Sequence, residues 1–252
     1  MAKTYQRIWI DTYKIHSYES DLTTRASSAA LLQFMQESAW NHAEHLELGY
    51  SHLFEKNLAW VLARLSLHTS SLPTWHSTIK LETFPSGLDK LFAYRDFRIL
   101  DSAGNPLAVG TTTWLVIDIE RRRPQRTESY FHVRDWGDYA HAFPGFAPKV
   151  DSVSQPDSIS RRTVRFSHLD VNGHVNNVKY LEFVLDAFPL DFLTNNMLVT
   201  LDMNFINEAL YDDTVAIHTQ HIQDYYLHSL FRDNGKTELC RLKTRWRKTC
   251  ED

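Results

Sequence analysis

Glycine is scarce in this chain. Eight of its 252 residues are glycine, well under the usual share of about 7 %. The eight do not assemble into either of the glycine-rich loops that cradle nucleotide phosphates, which disfavours nucleotide binding of that kind. Cysteine is scarcer still. Cys240 and Cys250 stand alone near the end of the chain, too few for a disulfide framework or a cysteine-based zinc site, and a reducing cytoplasm is the simplest expectation. The sequence holds no run of about 18 apolar residues, so no membrane span is expected. The opening MAKTYQRIWIDTYKIH has neither an apolar signal core nor transit-peptide character. A net charge of −4 argues against wrapping nucleic acid by bulk charge. Thirteen histidines invite a metal reading. The pairs His42/His45 and His218/His221 lack the HExxH pattern, however, and read as surface histidines, with no metal and no cofactor expected.

What is present is the material of a large core: 43 % apolar residues, of which Trp, Tyr and Phe make 13 % of the chain. Apolar spacing predicts a helix from Thr24 to Leu48. Strand-like runs follow at Leu58 to Thr69, Ser77 to Phe84, Leu91 to Leu100 and Leu107 to Ile119, with a turn at Asp101 to Pro106. Residues 135–160 carry Pro144, Pro148 and Pro156 without periodicity and read as a linker. The division is then 1–134, linker 135–160, and 161–252. The second part repeats the first. Asp21 to Arg25 aligns with Asp170 to His174, Leu32 with Leu181, Phe34 with Phe183, and Trp114 with Trp246. A second apolar helix starts near Val175 to Asn177 and ends before Pro189. The strands Leu198 to Phe205, Thr214 to Gln223, Tyr226 to Phe231 and Glu238 to Arg247 answer those of the first half.

The densest polar cluster in an apolar setting is Ser167 to Asn177. Asp170, Asn172 and His174 are two residues apart, so an extended segment would place all three on one side. Asn176 and Asn177 suit the cap of the following helix. A carboxylate, an amide and an imidazole thus arrive beside the N–H groups of Val175, Asn176 and Asn177. Such groups stabilise negative charge and suit the oxyanion of an acyl-transfer intermediate.

The string Asp170-Val-Asn-Gly-His174-Val-Asn176-Asn177-Val-Lys-Tyr180 resembles the signature of hotdog-fold thioesterases. Taken with Asn57-Leu-Ala-Trp60, Pro73-Thr-Trp75 and the duplicated layout, it resembles the acyl-acyl carrier protein thioesterase family over nearly the whole chain. The resemblance implies an α+β tandem hotdog fold, each half a helix wrapped by an antiparallel sheet, that hydrolyses fatty acyl thioesters carried on acyl carrier protein. It places catalysis on Asp170, Asn172, His174 and a downstream acid, Glu208. Many relatives carry a Cys after that acid; here it is Ala209, which leaves a Cys–His mechanism without an obvious nucleophile. In the first half, Thr23 and Arg25 replace the Asn and His, and Ser70 roughly faces Glu208. One active site per chain is expected, the first half lining the acyl-chain tunnel. Plastid members often carry a targeting extension, so a bacterial-type, cytoplasmic copy is expected here. The acidic carrier protein implies a basic docking patch, with Arg161, Arg162, Arg165, Lys243, Arg245 and Arg247 as candidates. An internally fused pair is compatible with a monomer or a homodimer. The alternatives are an acyl-CoA thioesterase, a non-hydrolytic acyl-binding protein and a dehydratase-like hotdog protein.

Overall fold

The computed structural model describes residues 5–127, 141–232 and 235–249. The chain forms two compact units. One is drawn from residues up to Leu65 and from Thr69–Ala147, the other from Ser66–His68 and from Pro148 onward.

In the first unit the long helix α1 (Ser28–His45) and the short α2 (Tyr50–Phe54) accompany β1 (Trp9–Lys14), β2 (Leu58–Thr69), β3 (Thr78–Leu88), β4 (Phe92–Asp101), β5 (Pro106–Asp118) and β6 (Arg123–Gln125). The sheet order is β1-β3-β4-β5-β2, with β6 on β5. Helix α1 packs on β1 and β3, burying Leu31, Leu32, Phe34 and Met35. Ser27 caps it by accepting the Ala30 N–H at 3.1 Å. The helix therefore starts four residues later than its apolar spacing suggests, because Thr24 to Ala26 are committed to a turn and a bridge.

The second unit repeats the plan: β7 (Ser158–Thr163), α3 (Asn177–Leu185), α4 (Leu190–Asn195), β8 (Asn196–Phe205), β9 (Thr214–Ile222), β10 (Tyr225–Arg232) and β11 (Glu238–Lys248), in the order β8-β11-β10-β9-β7. All four pairings are antiparallel. The apolar face of α3 buries Val178, Leu181 and Val184. Trp246 packs edge-on against Phe188 and Phe192, with centroids 5.4 and 5.2 Å away.

The duplication extends to individual hydrogen bonds. The indole N–H of Trp114 donates to Thr112 at 2.8 Å, and that of Trp246 to Thr244 at 3.0 Å. The Ile15 N–H reaches the Ser77 carbonyl at 2.9 Å, and the Val164 N–H reaches Asp213 at 2.8 Å. His76 and Asp212 are matched residues, and both sit at φ 68°.

Two edge strands, β1 and β7, escape the periodicity. In β1, Asp11 alternates inward with Trp9 and Tyr13, where it accepts hydrogen bonds from Trp9 Nε1 (2.9 Å) and Ser38 Oγ (2.7 Å). β7 carries one apolar residue, Ile159, and that is exposed. It also begins at Ser158, inside the expected linker. Of that linker, residues 135–140 lie outside the described residues. The stretch after Pro148 is bound to the second unit: Val150 N–H donates to Asn204 Oδ1 (2.7 Å), Val153 N–H to Ser229 Oγ (2.9 Å), and Arg241 Nη1 to the Val150 carbonyl (3.1 Å). Side chains, not a strand ladder, satisfy this backbone, so it shows no periodicity.

Candidate active site

Asp170 to His174 form a tight turn closed by the Leu169–Val175 bridge, not the extended segment their spacing suggests. The Asp170 N–H donates to the His174 carbonyl at 2.8 Å, and the Gly173 N–H to the Asp170 carbonyl at 3.0 Å. Asp170 Oδ1 accepts the N–H groups of Asn172 (2.8 Å) and His174 (3.2 Å), the self-capping typical of Asp in turns. Gly173 sits at φ 79°, a conformation glycine adopts without steric cost. One carboxylate oxygen is thereby spent on the turn. The other, Oδ2, accepts no hydrogen bond among the described residues, so it is the oxygen free to act on a substrate. Asn172 lies exposed at the apex.

His174 faces Glu208, with Nε2 3.5 Å from Oε2 and the two side chains 34 % and 40 % exposed. At that exposure the contact contributes no more than about 1 kcal/mol to stability. Glu208 lies on the loop between β8 and β9. Its carbonyl accepts Arg232 Nη2 at 2.9 Å, and Asp213 Oδ2 holds the same loop by accepting the Leu210 N–H (2.9 Å) and Arg232 Nε (3.1 Å). Arg232 and Asp213 had no motif to announce them; their role depends on a loop closure that the sequence does not display.

At the start of α3, Asn176 is the cap and its Oδ1 accepts the Val178 N–H at 2.9 Å. The expected anion-stabilising N–H set is narrower than the sequence suggests. Val175 donates to the Ala209 carbonyl (3.0 Å) and Asn176 to the His168 carbonyl (2.9 Å), so both are consumed by the fold. Among the described residues the Asn177 N–H makes no hydrogen bond. It stands at the first helical position, where orphan donors and the helix dipole meet.

The first unit builds the same turn without this chemistry. Asp21 Oδ1 accepts Thr23 N–H at 2.8 Å and Thr23 Oγ1 at 2.6 Å, and Thr24 takes the φ 60° position of Gly173. Arg25 stands where His174 does. The Ala26 N–H donates to the Pro73 carbonyl at 2.8 Å, the counterpart of Val175 to Ala209. That register puts Leu72, not Ser70, in the place of Glu208.

Cys240 is fully buried on β11, and burial pushes its thiol well above the ordinary range, which makes it a poor nucleophile. Cys250 lies outside the described residues. The docking candidates do not form a patch of bare cations. Arg162 pairs with Asp186 (3.6 Å), Arg165 with Asp212 (3.0 Å) and Arg245 with Asp224 (3.2 Å). Lys243 Nζ lies 4.0 Å from the Tyr225 ring centroid, and Arg161 and Arg247 also have partners. Among the described residues no group of three His, Cys, Asp or Glu is placed to hold a metal ion, and no helix is long and apolar enough to cross a membrane.

Residues 6–132 match the acyl-ACP thioesterase N-terminal domain, and residues 152–248 match the acyl-ACP thioesterase C-terminal domain. The chain belongs to the acyl-ACP thioesterase family. It is 26 % identical over 263 residues to a chloroplastic palmitoyl-acyl carrier protein thioesterase of Gossypium hirsutum, covering 95 % of this chain and 64 % of that one. It is 28 % identical over 257 residues to a chloroplastic acyl-acyl carrier protein hydrolase of Cuphea viscosissima, covering 94 % and 61 %. The chain thus spans under two thirds of the length of these relatives. Its fold is similar to that of an acyl-ACP thioesterase from Bacteroides thetaiotaomicron (TM-score 0.86, 22 % identity, 96 % of this chain and 98 % of that one). It is also similar to that of the 12:0-ACP thioesterase from Umbellularia californica (TM-score 0.86, 23 % identity, 98 % and 100 %). The α+β tandem hotdog fold expected of the family is the fold this chain has.

Proposed function

We propose that this family member hydrolyses fatty acyl thioesters of acyl carrier protein, releasing a free fatty acid and the carrier thiol in fatty acid biosynthesis. The observation that carries the reading is the His174–Glu208 contact of 3.5 Å beside the Asp170 turn, in the unit that matches the family's C-terminal domain. The Asp170 carboxylate, held in place by its two Oδ1 hydrogen bonds, takes a proton from water at Oδ2. The water oxygen adds to the thioester carbonyl carbon, and the oxyanion is met by the Asn177 N–H. Collapse breaks the C–S bond, and the thiolate receives the proton. His174, oriented by Glu208, and Asn172 at the apex position the water and the carbonyl. In a single turnover in ¹⁸O-labelled water, direct attack puts the label only in the fatty acid, whereas an anhydride opened by water at the Asp170 carbonyl carbon leaves the label in the protein.

The acyl carrier protein is proposed as the carrier because the named relatives act on its thioesters. The first unit, which keeps the turn but lacks the His and Glu, is proposed to line the acyl-chain tunnel. The cytoplasm is proposed as the compartment, on cysteine content alone, and fractionation tests it. The deciding experiment offers acyl carrier protein thioesters and acyl-CoA thioesters of graded length, and measures thiol and free acid. Thiol release with higher kcat/KM on carrier-bound substrate supports the proposal. An enoyl product, or binding without turnover, overturns it.

A further inference from the structure

The loop bearing Glu208 has one more anchor. The Ala209 N–H donates to the Tyr180 phenol oxygen at 3.1 Å. Ala209 is 0 % exposed and Tyr180 3 % exposed, so this amide cannot turn to water if the phenol is lost. The Tyr180 ring is held edge-on to Phe183 and Phe205, with centroids 6.5 and 6.1 Å away. Burial raises the phenol above its ordinary range, so the acceptor is a neutral hydroxyl.

The first unit meets the same structural need without this bond. Pro73 stands at the place of Ala209 and has no N–H; Leu31 stands at the place of Tyr180 and has no hydroxyl. Donor and acceptor occur together in the unit that has Glu208, and are missing together in the unit that has Leu72 there. The turn and the bridge form either way, so the fold alone does not require the pair.

We propose that Tyr180 is a positioning residue for catalysis: by holding the Ala209 amide it keeps Glu208 against His174. The role rests on the hydrolytic reading above. Without this bond the Glu208–Ala209 peptide keeps Arg232 on its carbonyl but loses its hold on the nitrogen side, and a turn about the carbonyl end carries the carboxylate away from the imidazole.

The test is a double-variant cycle in the full chain, with thiol release from an acyl carrier protein thioester as the readout. Tyr180→Phe lowers kcat at least tenfold and leaves KM within about twofold. In a Glu208→Gln background the same substitution costs less than a further twofold, since the group it positions is already disabled. Ala209→Pro, which deletes the donor in place of the acceptor, reproduces the loss of kcat and serves if Tyr180→Phe does not fold. An active wild type with an unaffected Tyr180→Phe or Ala209→Pro overturns the role of Tyr180, as do losses that multiply fully in the cycle. A wild type that releases no thiol from any acyl thioester overturns the hydrolytic reading instead, and this role falls with it.

Discussion

Asp170→Asn separates the two jobs that the Asp170 carboxylate performs. Its Oδ1 accepts two backbone N–H groups, at 2.8 and 3.2 Å, and an asparagine carbonyl can accept both. The turn therefore survives. What is lost is the difference between a charged and a neutral acceptor, about 1 kcal/mol, which in a chain of this size lowers Tm by roughly 2–4 °C. The chemistry loses far more. Oδ2 becomes an NH2 group that cannot take a proton, and removal of a general base costs roughly 10²–10⁴ in turnover, or about 3–5 kcal/mol of transition-state stabilisation. Steady-state thiol release on acyl carrier protein thioesters, run beside a thermal melt, reads both quantities on one preparation. A variant whose turnover stays within threefold of wild type refutes the argument. So does a turnover loss that follows the unfolded fraction, since the carboxylate would then be structural only.

Asn177→Pro removes the N–H that makes no hydrogen bond among the described residues, in a position where proline is compatible with the helix and after a residue already at φ −57°, ψ 139°. Turnover should fall roughly 10²–10³-fold with Tm nearly unchanged, while Asn177→Ala, which keeps the N–H, should stay near wild type in the same assay. Asp21→Ala should lower Tm by a few degrees in a thermal melt and leave kcat within twofold, because its turn in the first unit carries no His–Glu pair. Acid should destabilise the fold through His228 and through His42, which is buried on α1 and not at the surface as its spacing suggests; each is pushed down to about 3 chiefly by burial. The unfolded chain binds more protons than the folded one between about pH 6.5 and 3, so stability falls as pH drops through that window, by up to about 1.4 kcal/mol per pH unit for each histidine. Urea titrations at pH 7 and pH 5 measure the slope, and His228→Gln should reduce it.

The helices and central strands were legible because their apolar residues repeat at the right period, and the duplication because Trp114 and Trp246 hold matched places. The site was legible as a set of residues but not as a shape. Alternation of Asp170, Asn172 and His174 suggests a strand, whereas Gly173 and the acceptor habit of Asp fold it into a turn. Val175 and Asn176 looked like open donors because their acceptors are set by folding: Ala209 comes from the β8–β9 loop, and His168 is brought back by the turn that follows it. Leu72 was missed as the counterpart of Glu208 because loop lengths differ between the halves and the bridging bonds fix the register. Asp11 disguised β1, since a carboxylate facing a helix is tolerated only with donors such as Trp9 and Ser38 beside it.

The ribbon between Pro148 and Val153 has a practical consequence for anyone dissecting the protein. It is stitched to the second unit by Asn204, Ser229 and Arg241. Severing the polypeptide at residue 161 would strip those polar groups of their mates and split β7 midway. A cut placed just ahead of Pro148 would leave every stitch in the piece that needs it.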